Sequence, residues 1–414
     1  MTLSRAVSPR EGWRDLSSKA HLSEPLAWCG ALAVVVLALV SVDFASQDPD
    51  SALYAAISAR LAGLPARAWI APEWWGLWGG QGPYREHPVG VFLMPALLGR
   101  LGFPPMQAAF AVGAVFSLLS LVLLRRVASL IVGAQAAATV PWVALVLPVA
   151  FINRIRATQE YPVLALMLSA IYATEKSRTS AAWIAVSVFA ACTMALVKGI
   201  FVVFLPIVCG LWLLWIRDGE RDDRRAWLGV ALSVAAVVLS TIAYEALYRR
   251  TTGDSFLSFY LTYRLNQVAS VTQAATTHMM RTLSNLAWYS VRLLWFGFPG
   301  TLALLVAAAT PKRVDRQKVA HRELQGLYFA VSIAAAQIAV MSLGTTRAER
   351  YILPAYFAVG IAGALVAARR WEWSAHLTQR LAVLKPQALP LAWLLLILAA
   401  LPFELLVPYV KFRP

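Results

Sequence analysis

Apolar runs long enough to cross a membrane recur along almost the whole chain, from residue 26 to residue 407. Of the 414 residues, 59% are hydrophobic and 14% are charged, and the mean hydropathy is +0.63. Soluble domains are about 45–50% apolar and about 25% charged, so the bulk of this chain must lie in lipid. We therefore predict an all-α, multi-pass membrane protein.

The apolar runs divide the chain into eleven predicted transmembrane helices, each needing about 20 residues. They are residues 26–43, 106–124, 129–151, 160–174, 181–197, 199–216, 227–246, 290–309, 325–343, 352–368 and 389–407. A further apolar piece, residues 87–102, contains prolines and is predicted to be interfacial or re-entrant. The long polar lead indicates that the first span is an uncleaved helix rather than a signal peptide. We expect a cytoplasmic segment over 1–25 and one transmembrane domain over 26–414, without a separate soluble domain.

The net charge of +16 comes from Lys and Arg dispersed in short loops between apolar runs. With the N-terminus inside, six segments fall on one side and hold 21 of the 37 Lys and Arg. These segments are 1–25, 125–128, 175–180, 217–226, 310–324 and 369–388. The positive-inside rule makes that side cytoplasmic. A nucleic-acid partner would need a basic soluble face, and the dispersed charges argue against one.

The opposite face carries two long segments, 44–105 and 247–289. The first is rich in aromatic residues, which suit either a belt at the membrane surface or a site that stacks a sugar. These residues are Trp69, Trp74, Trp75, Trp78 and Tyr84. The second segment, with Tyr260 and Tyr263 as candidate sugar or lipid contacts, forms either amphipathic helices over the site or an acceptor platform. We expect the functional site at this outer membrane–water boundary.

Five short motifs follow one another on the outer face. They are Asp50-x-x-x-Tyr54, His87-Pro88, Arg156…Glu160-Tyr161-Pro162, Val197-Lys198-Gly199 and Arg350-Tyr351-Ile352-Leu353-Pro354. In this order they resemble the GT-C membrane glycosyltransferases, in particular the branch of protein O-mannosyltransferases and of the aminoarabinose and galacturonic-acid transferases that modify lipid A. The resemblance covers residues 26 to about 370. Departures at Ser51, Val89 and Val197 bear on contacts to the donor head group.

The resemblance implies a GT-C fold and a polyprenyl-phosphate-linked sugar as donor. It also implies a hydroxyl acceptor on a lipid, glycan or protein at the periplasmic face of a bacterial inner membrane. Inverting transfer needs a carboxylate base on the acceptor side and cations at the departing phosphate. A transporter or flippase of a lipid-linked saccharide is the main alternative, and a non-catalytic assembly subunit is another. A transporter should carry ionisable residues at mid-span, whereas here they collect at the outer edge.

Asp50 is the predicted catalytic base. Asp48 as N-cap and Pro49 at the first helical position would begin a helix and present Asp50 on its first turn. Asp50 alternatively serves only to complement the helix dipole, and Asp48 is the reserve candidate for the base.

Glu160 is the second predicted catalytic carboxylate. It lies where the outer link 151–160 meets a span, so an unpaired charge there would be costly. We expect Arg154 or Arg156 to pair with it. Glu160 then either orients the acceptor or a partner base, or forms a structural ion pair.

Lys198 and Arg350 are the predicted ligands of the donor phosphate. A lysine followed by glycine at a tight turn offers a charged donor beside accessible backbone N–H groups. The planar fork of an arginine binds two phosphate oxygens at once. The alternative for both is an end-marker of a span, with Tyr351 as a belt residue rather than a substrate contact.

Arg85 and His87 form a charged cluster before the interfacial helix and are candidates for contact with the donor head group. Tyr54, one turn after Asp50, is expected to border the same pocket. No cofactor is predicted, because a lone histidine with nearby acids gives only weak support for a divalent metal.

Overall fold

The computed structural model describes residues 28, 31–32, 49–74, 82–138, 140–147, 156–217, 223–268, 275–298, 300–309, 321–344 and 347–370. Helices dominate these ranges, and no β-strand forms within them. The predicted last span, 389–407, lies outside this part of the chain. So does the predicted first span, 26–43, except for helical residues 28 and 31–32.

The α-helices within these ranges are numbered in chain order. They are α1 (Pro49–Gly63), α2 (Gly90–Arg100), α3 (Pro105–Ala137), α4 (Val140–Val146), α5 (Glu160–Ser177), α6 (Ala182–Lys198), α7 (Phe204–Trp215), α8 (Arg224–Thr252), α9 (Phe256–Val268), α10 (Ala275–Phe296), α11 (Gly300–Ala309), α12 (His321–Ser342) and α13 (Leu353–Arg370). Three 3-10 turns accompany them, at Ala66–Ile70, Gly199–Val203 and Glu349–Ile352.

Three of the described helices are long and apolar enough to cross a membrane, Pro105–Ala134, Arg224–Thr252 and Leu324–Ser342. Shorter apolar helices stand at Gly90–Arg100, Ala182–Lys198 and Phe201–Trp215. The face of α8 that carries Val238, Leu239 and Ile242 is exposed. Such a continuous apolar face suits lipid, as the composition predicts.

The predicted loop at 125–128 is wrong, because α3 runs through these residues. Arg125 and Arg126 have high helix propensity, and no Gly or Pro interrupts the helix there. The break comes later, at Gly133 (φ 82°, ψ 160°). Glycine tolerates this conformation because it has no Cβ.

The described residues of segment 247–289 are largely helical: α8 extends to Thr252, and α9 and α10 follow. The predicted single span over 290–309 is wrong, because α10 ends at Phe296 and α11 begins at Gly300. Gly297 and Pro299 separate the two helices, and both residues disfavour helix continuation.

A buried ionic cluster joins three of the loops predicted to lie on one side. Arg178 contacts Glu175 at 2.7 Å and Asp223 at 2.8 Å, and its Nη2 donates to the carbonyl of Ile216. Arg322 lies 3.7 Å from Glu175. The described parts of the predicted loops 175–180, 217–226 and 310–324 therefore meet at one end of the bundle, as their charge predicted.

The other end of the bundle, which we call the site end, is where α1 and α5 begin and α6 stops. Glu160 and Glu175 lie near opposite ends of α5, whose 18 residues span about 27 Å. α2 packs against α6 so closely that a Cβ on Gly90 would lie 2.6 Å from the carbonyl oxygen of Leu196. This contact fixes α2 beside Lys198.

Candidate functional site

Four charged side chains from four separate elements meet at the site end. Lys198 Nζ lies 2.9 Å from Glu160 Oε1, and Arg350 Nη2 lies 2.5 Å from Asp50 Oδ2. Arg350 Nε lies 3.7 Å from the same Glu160 oxygen. Arg350 therefore joins the two ion pairs, and the structure brings together both predicted carboxylates and both predicted phosphate ligands.

The predicted pairing of Glu160 with Arg156 is wrong. Within the described ranges, Glu160 forms ion pairs with Lys198 and Arg350, whereas Arg156 Nη1 faces Glu349 Oε1 at 3.9 Å. Residues 156–159 are not helical, so the i,i+4 spacing does not bring the two side chains together as it would on a helix. The other predicted partner, Arg154, lies outside the described residues.

The two ion pairs differ in burial. The side chains of Lys198 and Glu160 are 5% and 3% exposed, whereas those of Arg350 and Asp50 are 22% and 39% exposed. The cluster thus has an inner pair and an outer pair. A ligand approaching from solvent or from the membrane surface meets Arg350 and Asp50 first.

The neighbouring charges determine the protonation states of Arg350 and Tyr54. Burial by itself lowers the pKa of Arg350, but the carboxylates of Glu160 and Asp50 outweigh it and raise that pKa above its ordinary value. Burial, followed by the same two carboxylates, raises the pKa of Tyr54 well above 10.0. Arg350 is therefore a permanent cation, and Tyr54 keeps its proton and acts as a hydrogen-bond donor.

Two aromatic rings flank the cations. Lys198 Nζ lies 5.5 Å from the ring centroid of Phe201 and 5.6 Å from that of Tyr351. The guanidinium carbon of Arg350 lies 5.8 Å from the Tyr351 ring. These are cation–π distances, so Tyr351 contributes to the site by holding both cations. A small cavity of about 30 Å³ is lined by Glu160 and these four residues, with apolar residues behind.

The non-helical link that leads into α5 is tied to its neighbours on both sides. The backbone N–H of Ala157 donates to Ser51 Oγ at 2.9 Å, and Arg156 contacts Glu349, next to Arg350. From the sequence, Ser51 was only a departure from the family pattern. Its hydroxyl in fact joins α1 to the link and so sets Asp50 opposite Glu160.

A polar chain of three residues lies beside Asp50. Tyr54 OH donates to Gln159 Oε1 at 3.4 Å, and Gln159 Nε2 lies 3.2 Å from His87 Nε2. Tyr84 also packs against His87, with ring centroids 6.4 Å apart. Gln159 is 4% exposed. Sequence reasoning missed Gln159; its position next to Glu160 in the motif was the only available signal.

Arg85 lies apart from the four-charge cluster. Its guanidinium contacts Asp254 at 2.5 Å, donates to Tyr248 OH at 3.0 Å and lies 5.4 Å from the ring centroid of Phe259. Burial lowers the pKa of Arg85, while Asp254 and Tyr248 more than offset this and raise it. Arg85 thus ties the first long segment to α8 and α9.

An apolar cavity of about 300 Å³ lies on the other side of the Lys198–Gly199 turn. Val237 and Tyr244 of α8 and Tyr260 of α9 are among the residues that line it. Tyr260 OH donates to the carbonyl of Lys198 at 3.4 Å, and Gly199 has φ +60°. One turn of backbone therefore separates a charged cavity from an apolar one.

Several candidates from the sequence fall outside the described part of the chain. They are Asp48, Trp75, Trp78 and the side chain of Tyr263. Within the described part, no group of three or more His, Cys, Asp or Glu side chains is close enough to hold a metal ion.

Solved structures share this architecture. ArnT from Cupriavidus metallidurans in the apo state has a TM-score of 0.58 and 20% identity, covering 86% of this chain and 63% of that one. ArnT from Cupriavidus metallidurans bound to undecaprenyl phosphate has a TM-score of 0.57 with the same identity and coverage. The archaeal oligosaccharyltransferase AglB from Archaeoglobus fulgidus, in complex with an inhibitory peptide and a dolichol-phosphate, has a TM-score of 0.48 and 13% identity, covering 91% of this chain and 55% of that one.

The chain spans less than two thirds of the length of these proteins. No family model and no curated protein sequence matches it. At 20% identity the likeness to ArnT concerns the fold, and it agrees with the helical bundle and its apolar spans. This chain is therefore a multi-pass membrane protein with the GT-C fold.

Proposed function

We propose that this chain is an inverting glycosyltransferase that moves a sugar from a polyprenyl-phosphate donor to a hydroxyl acceptor on a lipid, glycan or protein. One observation carries the proposal: two carboxylates and two cations, which lie far apart in the sequence, converge at one end of the bundle. Glycosyl transfer from a phosphate needs a base and cations within reach of one another.

The reaction is a single displacement at the anomeric carbon. The acceptor oxygen forms a bond to that carbon while the carbon–oxygen bond to the phosphate breaks, and the electron pair leaves with the phosphate. Asp50, the more exposed carboxylate, takes the proton of the acceptor hydroxyl. Arg350 and Lys198 stabilise the negative charge of the departing phosphate.

Glu160 positions the two cations. Its Oε1 lies within ion-pair distance of both, and its burial leaves it poorly placed to reach an acceptor directly. Tyr54 and His87, joined through Gln159, border the Asp50 side of the site. We assign them to contacts with hydroxyl groups of the sugar or the acceptor, and Tyr351 to support of the cations.

The apolar cavity supplies a place for the lipid of the donor. It begins at Gly199, directly after the cation Lys198, and its lining is almost entirely apolar. A polyprenyl phosphate has the same sequence of properties, a charged head followed by an apolar chain. The complex of ArnT with undecaprenyl phosphate shows that a protein of this fold binds such a molecule.

We also propose that the site faces the periplasm of a bacterial inner membrane, with a cytoplasmic N-terminus and residues 26–414 as one domain. The basis is charge, because the Lys- and Arg-rich loops converge at the end of the bundle opposite the site. Single cysteines introduced by Asp254→Cys and Arg225→Cys, in a cysteine-free background, test this with an impermeant maleimide. Labelling of the Arg225→Cys protein but not of the Asp254→Cys protein in intact cells would show that the orientation is the opposite one.

The activity is tested with purified protein and a sugar-loaded undecaprenyl phosphate, by following release of undecaprenyl phosphate and sugar in a product. General-base catalysis contributes about 10²–10⁴-fold, so Asp50→Asn should lower the rate by at least about 100-fold. Asp254→Asn removes another exposed acid at this end and should leave the rate unchanged. Movement of the intact lipid-linked sugar across vesicles without any transfer would instead identify a flippase.

A further inference from the structure

The proposed base is already bound by a cation in this structure. Arg350 Nη2 lies 2.5 Å from Asp50 Oδ2, in direct ion-pair contact. This contact occupies the oxygen that would accept the hydrogen of an acceptor hydroxyl. Asp50 Oδ2 therefore has to leave Arg350 before it can take that proton.

The same cation is the one most accessible to an arriving phosphate. Lys198 is buried and flanked by the rings of Phe201 and Tyr351, whereas Arg350 is the more exposed of the two. The four side chains are two cations and two carboxylates, so their net charge is zero. A phosphate that binds the Nη2 edge of this guanidinium must displace the Asp50 carboxylate from it.

The guanidinium contacts the two carboxylates through different nitrogens. Nη2 faces Asp50, while Nε faces the buried Glu160 at 3.7 Å. Because the five N–H donors of arginine form a rigid fork, one edge can change partner while the other keeps its contact. Glu160 thus retains Arg350 in the site during an exchange at Nη2.

We propose that the donor phosphate takes Arg350 Nη2 from Asp50, so that Asp50 becomes an active base only when the donor is bound. This inference rests on the proposed function and assigns Arg350 two successive partners. After the exchange, Asp50 Oδ2 no longer contacts the guanidinium and can accept the hydrogen of an acceptor hydroxyl. The acceptor hydroxyl then gives its proton to Asp50 as its oxygen bonds the anomeric carbon and the phosphate departs on Arg350.

The exchange makes a prediction about binding that neither a simple base nor a structural ion pair shares. If phosphate competes with Asp50 for Arg350, removal of the carboxylate must tighten phosphate binding while it abolishes transfer. Exposed ion pairs contribute up to about 1 kcal/mol, which is about fivefold in affinity. Asp50→Asn should therefore bind undecaprenyl phosphate about fivefold more tightly than the wild type.

The experiment measures the Kd of undecaprenyl phosphate in detergent micelles for the wild type, Asp50→Asn, Arg350→Gln and the double variant. Arg350→Gln should weaken binding. Adding Asp50→Asn to Arg350→Gln should change Kd little, because without the guanidinium there is nothing for Asp50 and the phosphate to compete for. Asp50→Ser, with no amide to replace the carboxylate, should behave like Asp50→Asn. Asp254→Asn is the matched control for loss of an exposed negative charge and should leave Kd unchanged.

Three results would overturn the inference. If Asp50→Asn binds no more tightly than the wild type, there is no competition. An equal gain with and without Arg350 would mean that Asp50 acts only as a general negative charge. In both cases a loss of affinity in Arg350→Gln would leave the proposed function intact. Failure of the wild type to bind undecaprenyl phosphate at all would remove the proposed function, and this inference with it.

Discussion

Lys198 Nζ and Glu160 Oε1 lie 2.9 Å apart, and both side chains are almost completely buried. Burying two charges costs desolvation energy that their attraction repays only in good geometry, and removal of one partner leaves an uncompensated charge. The pair joins the end of α6 to the beginning of α5. The buried pair therefore holds the inner side of the site in place, and Arg350 and Asp50 form its more exposed side.

Glu160→Gln should destabilise the protein strongly. Breaking a buried ion pair costs about 3–5 kcal/mol, because Lys198 would stay buried without a carboxylate at contact distance. The midpoint of thermal unfolding in detergent should fall, and Glu160→Gln combined with Lys198→Met should recover part of the loss. Asp254→Asn breaks an exposed pair and should change the midpoint little. An unchanged midpoint for Glu160→Gln would show that the pair does not hold the two helices.

The turn between Lys198 and Phe201 depends on glycine. Gly199 has φ +60°, and a Cβ there would lie 2.8 Å from Tyr260 Cζ and closer still to its hydroxyl. Gly199→Ala should therefore lower stability by about 1–3 kcal/mol from backbone strain alone, because φ 60° with ψ −126° is a region that residues with a Cβ rarely adopt. It should also move Lys198. Both the unfolding midpoint and the rate of transfer should fall.

Gly253→Ala is a control for loss of a glycine with positive φ, because Gly253 has φ +80° and ψ −13°, in the left-handed helical region, and no atom lies within 4 Å of its Cβ position. It should cost about 1–2 kcal/mol of stability without loss of activity. Adding Tyr260→Leu to Gly199→Ala should relieve the contact and recover part of the stability. If Tyr260→Leu recovers none of it, Tyr260 does not constrain the turn.

The sequence located the ends of the elements that build the site. Lys198-Gly199 ends one apolar run and Glu160 begins another. The position of these ends follows from the length of chain that a membrane span needs. Pro49 is the first described residue of α1, and its fixed φ suits a position at the beginning of a helix. These are local properties, so a single chain reveals them.

Which charge pairs with which was not predictable from the sequence. Asp50 and Arg350 are 300 residues apart, and their contact depends on how α1 packs beside the turn before α13. Arg156 was the nearest cation to Glu160 in the sequence, yet the non-helical link directs it to Glu349. Pairings of this kind depend on tertiary packing and leave no local pattern.

Tyr54 should make the protein less stable at alkaline pH. Burial and the carboxylates of Asp50 and Glu160 raise its pKa well above 10.0. The folded protein therefore keeps a proton that the unfolded chain releases above about pH 10. Stability from this group is complete below that pH and falls above it by about 1.4 kcal/mol per pH unit until the folded pKa is reached.

Unfolding midpoints of the wild type and of Tyr54→Phe between pH 8 and pH 11 test this. The variant has no proton to lose, so its midpoint should fall less steeply above pH 10. Tyr328→Phe removes an exposed hydroxyl and should follow the wild type. Parallel curves for all three proteins would show that Tyr54 is not held in its neutral form by the fold.

Filling the apolar cavity should weaken binding of the donor while leaving the chemistry intact. Val237 lines the cavity, whereas its neighbour Val238 is 51% exposed on α8. Val237→Trp should raise KM for a sugar-loaded undecaprenyl phosphate by about tenfold, the equivalent of two buried methylene groups, with kcat nearly unchanged. Val238→Trp adds the same bulk to the exposed face and should change neither constant. Equal effects of the two substitutions would mean that the lipid chain of the donor lies elsewhere. A fall in kcat with KM unchanged in Val237→Trp would mean that the cavity shapes the charged site rather than holding the lipid.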